Sequence, residues 1–265
     1  MVKFEISQSE EELTSLSGLA LVGAALRRMR FCERSDDVGL PRAKAEPTIM
    51  HSDVLKSYIG LLCQGKSDYE AIEPFRAGDE FFPLAFDIEV LPSCETLRQR
   101  LDQLGALGGR IEDAASLLTT LLKEQNLRML KEVGVTVTPA LRELVALDID
   151  VSPFDNSKTH KEGLSRTYKG YEGHAPIFAY LGAEGYLVNT ELRPGKQHCQ
   201  NGTPTFLRES LRLARLLTDA PLLVKMDSGN DSADNLSILI QEDVDFVIKR
   251  NLRRESTEEA KAIAL

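Results

Sequence analysis

Residues 144–151 read Leu144-Val145-Ala146-Leu147-Asp148-Ile149-Asp150-Val151, an apolar run that only two aspartates interrupt. Such a run is typical of a strand that is buried on both faces of a sheet. Because side chains alternate along a strand, Asp148 and Asp150 lie on the same face. A carboxylate in a buried strand is costly unless it is paired or binds a metal ion. The run therefore predicts either an ion pair or a binding site at its end.

Further strands and helices follow this run. Gly182-Ala183-Glu184-Gly185 is a hairpin-type connection, so the apolar segments on either side of it predict antiparallel neighbours. Thr203 and Pro204 predict the N-cap and first turn of a helix. In all we expect strands at 144–151, 177–181, 186–192, 222–227 and 244–248, and helices at 203–217 and 232–241. This order predicts an α/β fold, a mixed sheet with helices on its faces.

The chain before this sheet is predicted to be mostly helical. Apolar stripes at helical spacing, with capping residues before them, mark the helices. After a short extended start at residues 2–6 we expect helices at 9–30, 52–64, 93–104 and 111–132, with a loop at 35–47. We therefore predict two domains, a helical one at residues 1–140 and an α/β one at residues 141–265.

The predicted helix that begins after Ser93 carries two arginines near its start. Ser93 is a suitable N-cap, and Leu97 and Leu101 form an apolar face away from Arg98 and Arg100. A short basic helix that follows other short helices is compatible with the recognition element of a helix-turn-helix motif. The alternative is an ordinary surface helix. On the first interpretation the helical domain binds DNA through Arg98 and Arg100.

Composition and charge argue against several classes of protein. The chain of 265 residues carries a net charge of −9, which argues against general binding to nucleic acid, because Lys and Arg supply most of that affinity. Its most apolar window, Leu16 to Leu26, is about half as long as a membrane span. Met1 to Glu5 has none of the features of a signal peptide. We therefore expect a cytoplasmic protein that makes no membrane contact.

One stretch reverses the average charge. Between Lys158 and Arg215 there are nine Lys or Arg against five Asp or Glu, a net charge of +4. Loops over a rigid sheet commonly carry substrate contacts, so a loop there is a good place to contact phosphates. For the helical arginines a solvated face paired with acids is the alternative. The candidate DNA contacts are the loop residues Lys158, Lys161, Arg166 and Lys169, the turn residues Arg193 and Lys196, and Arg208 and Arg212 on the predicted helix.

The third notable acid, Asp227, closes another apolar strand. Two or three carboxylates that converge from adjacent strands can hold a pair of Mg²⁺ ions, which prefer hard oxygen ligands. Asp148, Asp150 and Asp227 are the candidate metal ligands. The alternative is that these acids pair with nearby Lys or Arg or cap helices. Spacing alone leaves both interpretations open.

Four motifs resemble, in order and spacing, those of DDE-type insertion-sequence transposases. They are Leu147 to Ser152, Tyr168 to Pro176, Glu191 to Gly195 and Lys225 to Gly229. Leu13 to Leu21 also resembles the opening of one branch of those enzymes, so the resemblance covers most of the chain. It implies a ribonuclease-H-like core, two Mg²⁺ ions, and the cutting and joining of double-stranded DNA at transposon ends.

The resemblance also assigns roles to single residues. Asp150, in Asp150-Val151-Ser152, takes the place of the first catalytic aspartate, and Asp227, in Asp227-Ser228-Gly229, takes that of the second. Asn230 departs from the family, in which an aromatic residue commonly follows that glycine. The glutamate that completes the family's triad has no counterpart with the expected context before Leu265.

The missing glutamate leaves two functional hypotheses. In the first, the chain is a transposase with Asp150 and Asp227 as catalytic residues. In the second, it is an inactive, C-terminally truncated transposase with an incomplete core, which binds DNA, forms a homodimer or pairs with full-length subunits. On this basis the chain alone is predicted not to cleave DNA.

Overall fold

The computed structural model describes residues 14–40, 48–105 and 111–252 and the isolated positions 256, 258 and 262, with the backbone alone at 105 and 111–116. The chain forms two compact units, Met1–Val133 and Gly134–Leu265. Among the described residues, no helix combines the length and the apolar character that crossing a membrane requires. The predicted extended start and most of the predicted 35–47 loop lie outside the described residues.

The described part of the first unit is helical. Its core contains Val54, Leu61, Ile72, Phe82 and Leu97, all with 0% exposure. The helices are α1 (Leu19–Arg28), α2 (Phe31–Asp37), α3 (His51–Cys63), α4 (Glu73–Arg76), α5 (Phe81–Phe86), α6 (Cys94–Gly105) and α7 (Ile111–Val133), with a 3-10 turn at Tyr69–Ile72 before α4.

The end of α1 and the start of α6 can each be explained by local backbone conformation or capping. Helix α1 has Arg27 and Arg28 in its last turn, as predicted, but it ends two residues before Arg30, because Arg30 adopts a left-handed backbone with φ of 55°. The turn lets Phe31 enter the core as the first residue of α2. The start of α6 is as predicted, since Ser93 Oγ accepts a hydrogen bond of 3.1 Å from the backbone N–H of Thr96.

The second unit is built on a five-stranded mixed sheet. Its strands are β1 (Val145–Val151), β5 (Ile177–Leu181), β6 (Tyr186–Glu191), β7 (Leu222–Met226) and β8 (Asp245–Ile248), and their order in space is β6-β5-β1-β7-β8. The pairs β1–β5 and β5–β6 are antiparallel, whereas β1–β7 and β7–β8 are parallel. The three successive antiparallel strands were predicted. This arrangement confirms the predicted α/β fold, a mixed sheet with helices.

Helices connect the parallel strands. Helix α8 (Thr203–Arg215) joins β6 to β7, and α9 (Ala233–Gln241) joins β7 to β8. The predicted N-cap of α8 is off by one residue: Gly202, with φ of 78°, occupies that position. Thr203 is instead fully buried, and its hydroxyl donates to the carbonyl of Cys199. Glycine suits the N-cap because few other residues adopt this backbone conformation without strain.

A second, small sheet interrupts the stretch predicted as a loop. It contains β2 (Phe154–Asp155), β3 (Ser165–Arg166) and β4 (Glu172–His174), with the antiparallel order β2-β4-β3. Arg166 therefore lies in a strand, and Lys169 lies in the turn between β3 and β4. Pairs this short carry little apolar periodicity, which is why the sequence did not indicate them.

Candidate functional site

Asp150 and Asp227 lie side by side at one end of the main sheet. In the parallel pair β1–β7, Ile149 faces Met226, so the next residue on each strand is an aspartate. Neighbouring strands are about 4.8 Å apart, which brings the two carboxylates within reach of one cation. Both residues are exposed. This edge, where the parallel strands end, is where α/β sheets commonly bind ligands.

The electrostatics of Asp150 reflect this proximity. Partial desolvation of its carboxyl group raises the pKa of Asp150 above the ordinary value, and the negative charge of Asp227 raises it further. A hydrogen bond from the backbone N–H of Val151 and the positive charge of Lys169 act in the opposite direction. The ammonium group of Lys169, in the β3–β4 turn, is thus close enough to influence the site.

Asp148 has a different partner. It faces Lys225 across the β1–β7 ladder, and Lys225 Nζ lies 2.6 Å from Asp148 Oδ1. Both side chains are half exposed. Among the three candidate metal ligands, the structure therefore brings together Asp150 and Asp227 and pairs Asp148 with a lysine.

Asp227 is held by the turn that follows it. Residues 228–230 form a 3-10 turn, and Asn230 Nδ2 donates to Asp227 Oδ1 at 2.8 Å. Cys199 Sγ donates to the carbonyl of Gly229 at 3.0 Å. A Cβ atom at Gly229 would lie 2.9 Å from Cys199 Sγ and 3.2 Å from Asp227 Oδ1, so the close packing of this turn requires glycine. Burial and the charge of Asp227 raise the pKa of the Cys199 thiol, which keeps it protonated as a donor.

An open cleft of about 570 Å³ lies beside Asp227, within the second unit. Asp227 and Val151 contribute to one wall. Arg166 and Lys196 contribute positive charge, and Tyr168, which is 72% exposed, lies in the β3–β4 turn. The cleft thus combines the carboxylate of Asp227, at the end of β7, with cations from neighbouring segments.

The other predicted DNA contacts of this unit fall into two groups. Lys158, Lys161, Arg208 and Arg212 are exposed. Arg193 is 2% exposed: its Nε lies 2.7 Å from Glu191 Oε1, its Nη1 donates to Thr203 Oγ1 at 3.0 Å, and its guanidinium lies over the ring of Phe206. The interpretation of Arg193 as a DNA contact is therefore corrected, because a buried side chain cannot reach a phosphate.

The arginines of α6 are engaged within the first unit. Arg98 forms ion pairs with Glu95 at 2.7 Å and Asp102 at 2.8 Å. Arg100 donates to the carbonyl of Ile49 at 2.9 Å. These contacts agree better with an ordinary surface helix than with a recognition helix.

No third carboxylate joins the pair within the described ranges. Among the described residues, no group of three or more His, Cys, Asp or Glu could hold a metal ion. Glu242, one of the acids after Asp227, forms an ion pair with Arg215 at 2.6 Å. Glu255 and Glu259 lie outside the described residues.

Sequence reasoning missed two contributors to this site. In the sequence Asn230 stands out only as a departure from a family pattern, and no motif places Cys199 at the site. The position of Asn230 three residues after Asp227 is typical of a side chain that turns back to its own strand end. Nothing in the spacing of Cys199 could indicate its contact with Gly229, because that contact depends on how the segment after β6 folds.

Comparisons with known proteins place the chain in a family. No curated protein matches it. A solved structure of piggyBac transposase in a synaptic complex with hairpin DNA is 13% identical, with a TM-score of 0.44 over 93% of this chain and 53% of that chain. This chain thus spans about half the length of that transposase. The family described as transposase DDE domain group 1 matches residues 2–264, so the chain belongs to the DDE transposases.

Proposed function

We propose that this chain provides the DNA-cleaving and strand-transferring site of a transposase, with Asp150 and Asp227 as the catalytic, metal-binding pair. One observation carries the proposal. Two exposed aspartates end adjacent parallel strands of a ribonuclease-H-like sheet, next to a cleft lined by cations. Family membership supports the same reaction, the hydrolysis and transfer of phosphodiester bonds at transposon ends.

The residues present fit a magnesium ion. Carboxylate oxygens are the hard ligands that Mg²⁺ prefers, and the exposure of both aspartates leaves room for water ligands. The repulsion between the two charges, which contributes to the raised pKa of Asp150, would be relieved by a divalent cation. When bound, Mg²⁺ supplies Lewis-acid activation of the attacking oxygen and charge stabilisation of the leaving oxygen. A second ion would need at least one further carboxylate.

The cations around the cleft are the proposed contacts for the DNA backbone. Arg166 and Lys196 lie in the cleft wall, and Lys169 acts electrostatically on Asp150. None of the three forms an ion pair among the described residues. A phosphodiester strand in the cleft would therefore pass between these cations and the aspartates. Lys158, Lys161, Arg208 and Arg212 extend the proposed surface. For residues 1–140, DNA binding stays a prediction that no described contact supports.

A second function is favoured by one specific observation. Within the described residues no third carboxylate completes the site, so the chain could bind DNA or another transposase subunit without cutting. Val247 in the edge strand β8 is 60% exposed and Ile240 in α9 is 70% exposed, and exposed apolar side chains of this kind suit a pairing surface. A homodimer or a complex with another transposase chain would use such a surface.

A metal-dependent cleavage assay separates the two functions. The substrate is a supercoiled plasmid that carries the gene with its flanking DNA, incubated with Mg²⁺, Mn²⁺ or EDTA. The first function predicts nicking that needs the metal and is abolished in Asp150→Asn and Asp227→Asn, whereas the second function, in which the chain alone does not cleave DNA, predicts no nicking. Asp219→Asn, which removes an exposed aspartate before β7, should cleave like the wild type and is the matched control.

Two other results would decide against the first function. DNA binding without any metal-dependent nicking would favour the second function. Nicking that persists in Asp227→Asn would contradict the assignment of the catalytic pair.

A further inference from the structure

Asn230 is unusual because it is a fully buried polar residue in direct contact with a candidate metal ligand. Its side chain has 0% exposure, and its Nδ2 donates to Asp227 Oδ1 at 2.8 Å. The orientation of the amide follows from chemistry, since the reverse orientation would place two acceptor oxygens in contact. Asp227 itself is exposed. The contact therefore connects the interior of the unit with the carboxylate at its surface.

Asn230 is in turn fixed by a second asparagine. Asn235, also with 0% exposure, donates through Nδ2 to the backbone carbonyl of Asn230 at 2.9 Å. The N–H of Asn235 donates to Ser232 Oγ, the N-cap of α9. Asn230 is thereby connected to the start of a helix through two successive hydrogen bonds.

The opposite side of the turn is also held. The thiol of Cys199 bonds to the carbonyl of Gly229, and Asn230 N–H donates to the carbonyl of Asp227 at 3.2 Å. The backbone from Asp227 to Asn230 thus has little freedom to rearrange. The hydrogen bond from the amide of Asn230 to Asp227 Oδ1 opposes rotation of the Asp227 side chain.

We propose that Asn230 is a positioning residue, which holds Asp227 Oδ1 so that the other oxygen, Oδ2, is presented to a divalent cation. The inference rests on the proposed function, because it assumes that Asp227 binds the metal. A neutral amide suits this role, since it donates a hydrogen bond without adding charge to the site. Residues that hydrogen-bond to metal ligands orient them, and their loss typically lowers metal affinity about 10–100-fold.

The test measures Mn²⁺ binding to the full chain in the absence of DNA. Electron paramagnetic resonance monitors the free and bound Mn²⁺. We expect Asn230→Ala to raise the dissociation constant about 10–100-fold. Asn230→Ser, whose side chain is too short to reach Asp227, should behave in the same way if the alanine variant does not fold. Unfolding midpoints of each variant show that the affinity is measured on folded protein.

Asn189→Ala is the matched control. Asn189 is a buried asparagine of the same unit, 2% exposed, and its amide donates to Ser210 Oγ and Glu209. Its replacement removes a similar set of buried hydrogen bonds without touching Asp227. We expect Asn189→Ala to lower stability and to leave the Mn²⁺ affinity of the folded chain unchanged. If Asn230 had a merely structural role, Asn230→Ala would likewise leave the Mn²⁺ affinity unchanged.

The outcomes separate the inference from the function on which it rests. If the wild type has no Mn²⁺ site that Asp227→Asn removes, the proposed function fails. If that site exists and Asn230→Ala and Asn230→Ser bind Mn²⁺ as tightly as the wild type, the positioning role is overturned while the proposed function stands. The positioning role would also be overturned if Asn230→Ala and Asn189→Ala lowered the Mn²⁺ affinity to the same extent.

Discussion

Asp148 and Asp150 differ in the residue that each meets across the ladder. Asp148 faces Lys225, which neutralises it at 2.6 Å, whereas Asp150 is next to Asp227, whose charge contributes to raising its pKa. Two aspartates on one strand face thus have opposite electrostatic surroundings. The first forms an ion pair, whereas the second lies beside another carboxylate and favours a cation.

Arg193 is buried whereas Lys196 is exposed, so we expect their replacement to have different effects. Arg193→Ala should lower the free energy of unfolding by about 2–3 kcal/mol, because it removes charge-assisted hydrogen bonds from a buried side chain. Lys196→Ala, at an exposed position, should leave stability unchanged and weaken DNA binding. Denaturant titration and DNA binding of both variants measure the difference. Equal stabilities for the two variants would contradict the structural role of Arg193.

The β2–β3 connection and the β3–β4 turn are the elements that extend from the main sheet with positive charge. They are built on strands of only two or three residues, and the turn brings Lys169 close to Asp150. On the proposed function, such loops on a rigid sheet would contact a DNA substrate whose reacting bond lies over the aspartates.

The β2–β3 connection gives a prediction on salt dependence. Lys158→Ala together with Lys161→Ala should shallow the slope of log affinity against log salt by about one unit for each lost phosphate contact. Arg142→Ala removes an exposed cation before β1, at the other end of that strand from Asp150, and should not change the slope. Binding to duplex DNA is measured at several salt concentrations. An unchanged slope in the double variant would mean that this connection does not contact the backbone.

The start of α6 gives a prediction on pH. Glu73 Oε1 accepts a hydrogen bond of 2.7 Å from the N–H of Cys94, and this bond and Arg76 lower the pKa of Glu73 below its usual 4.5. A depressed carboxyl pKa contributes stability above 4.5 that is lost as the pH falls through the folded-state value. As the pH falls below 4.5, the free energy of unfolding of Glu73→Gln should therefore decrease less than that of the wild type. Glu70→Gln, an exposed neighbour, is the control.

The strands of the main sheet could be predicted because each is an apolar run bounded by polar or turn residues. The strand ends that carry Asp150 and Asp227 were therefore predictable, and so was their neighbourhood once the fold was inferred. The pairing of Asp148 with Lys225 was not, because it depends on the register of two strands far apart in sequence. The burial of Arg193 was equally hidden, since a cation before a turn normally faces water.

At the scale of the whole molecule, charge and function are divided unevenly along the chain. The net charge of −9 conceals a stretch of +4 between Lys158 and Arg215, which lies entirely in the second unit. The candidate metal ligands, the cleft and the cations around it belong to that same unit. Metal binding should accordingly affect the stability of this unit and not that of the helical one.

This division predicts a selective effect of Mg²⁺ on unfolding. A ligand that binds only the native state at 100 times its dissociation constant adds about 2.7 kcal/mol of stability. Arg193 lies in the second unit, so in scanning calorimetry Arg193→Ala identifies the transition of that unit by lowering its midpoint temperature. Mg²⁺ should raise the midpoint temperature of that same transition and leave the midpoint of the other transition unchanged. Asp227→Asn should abolish this shift, and EDTA should reverse it in the wild type. A shift that persists in Asp227→Asn would locate the metal elsewhere in the chain.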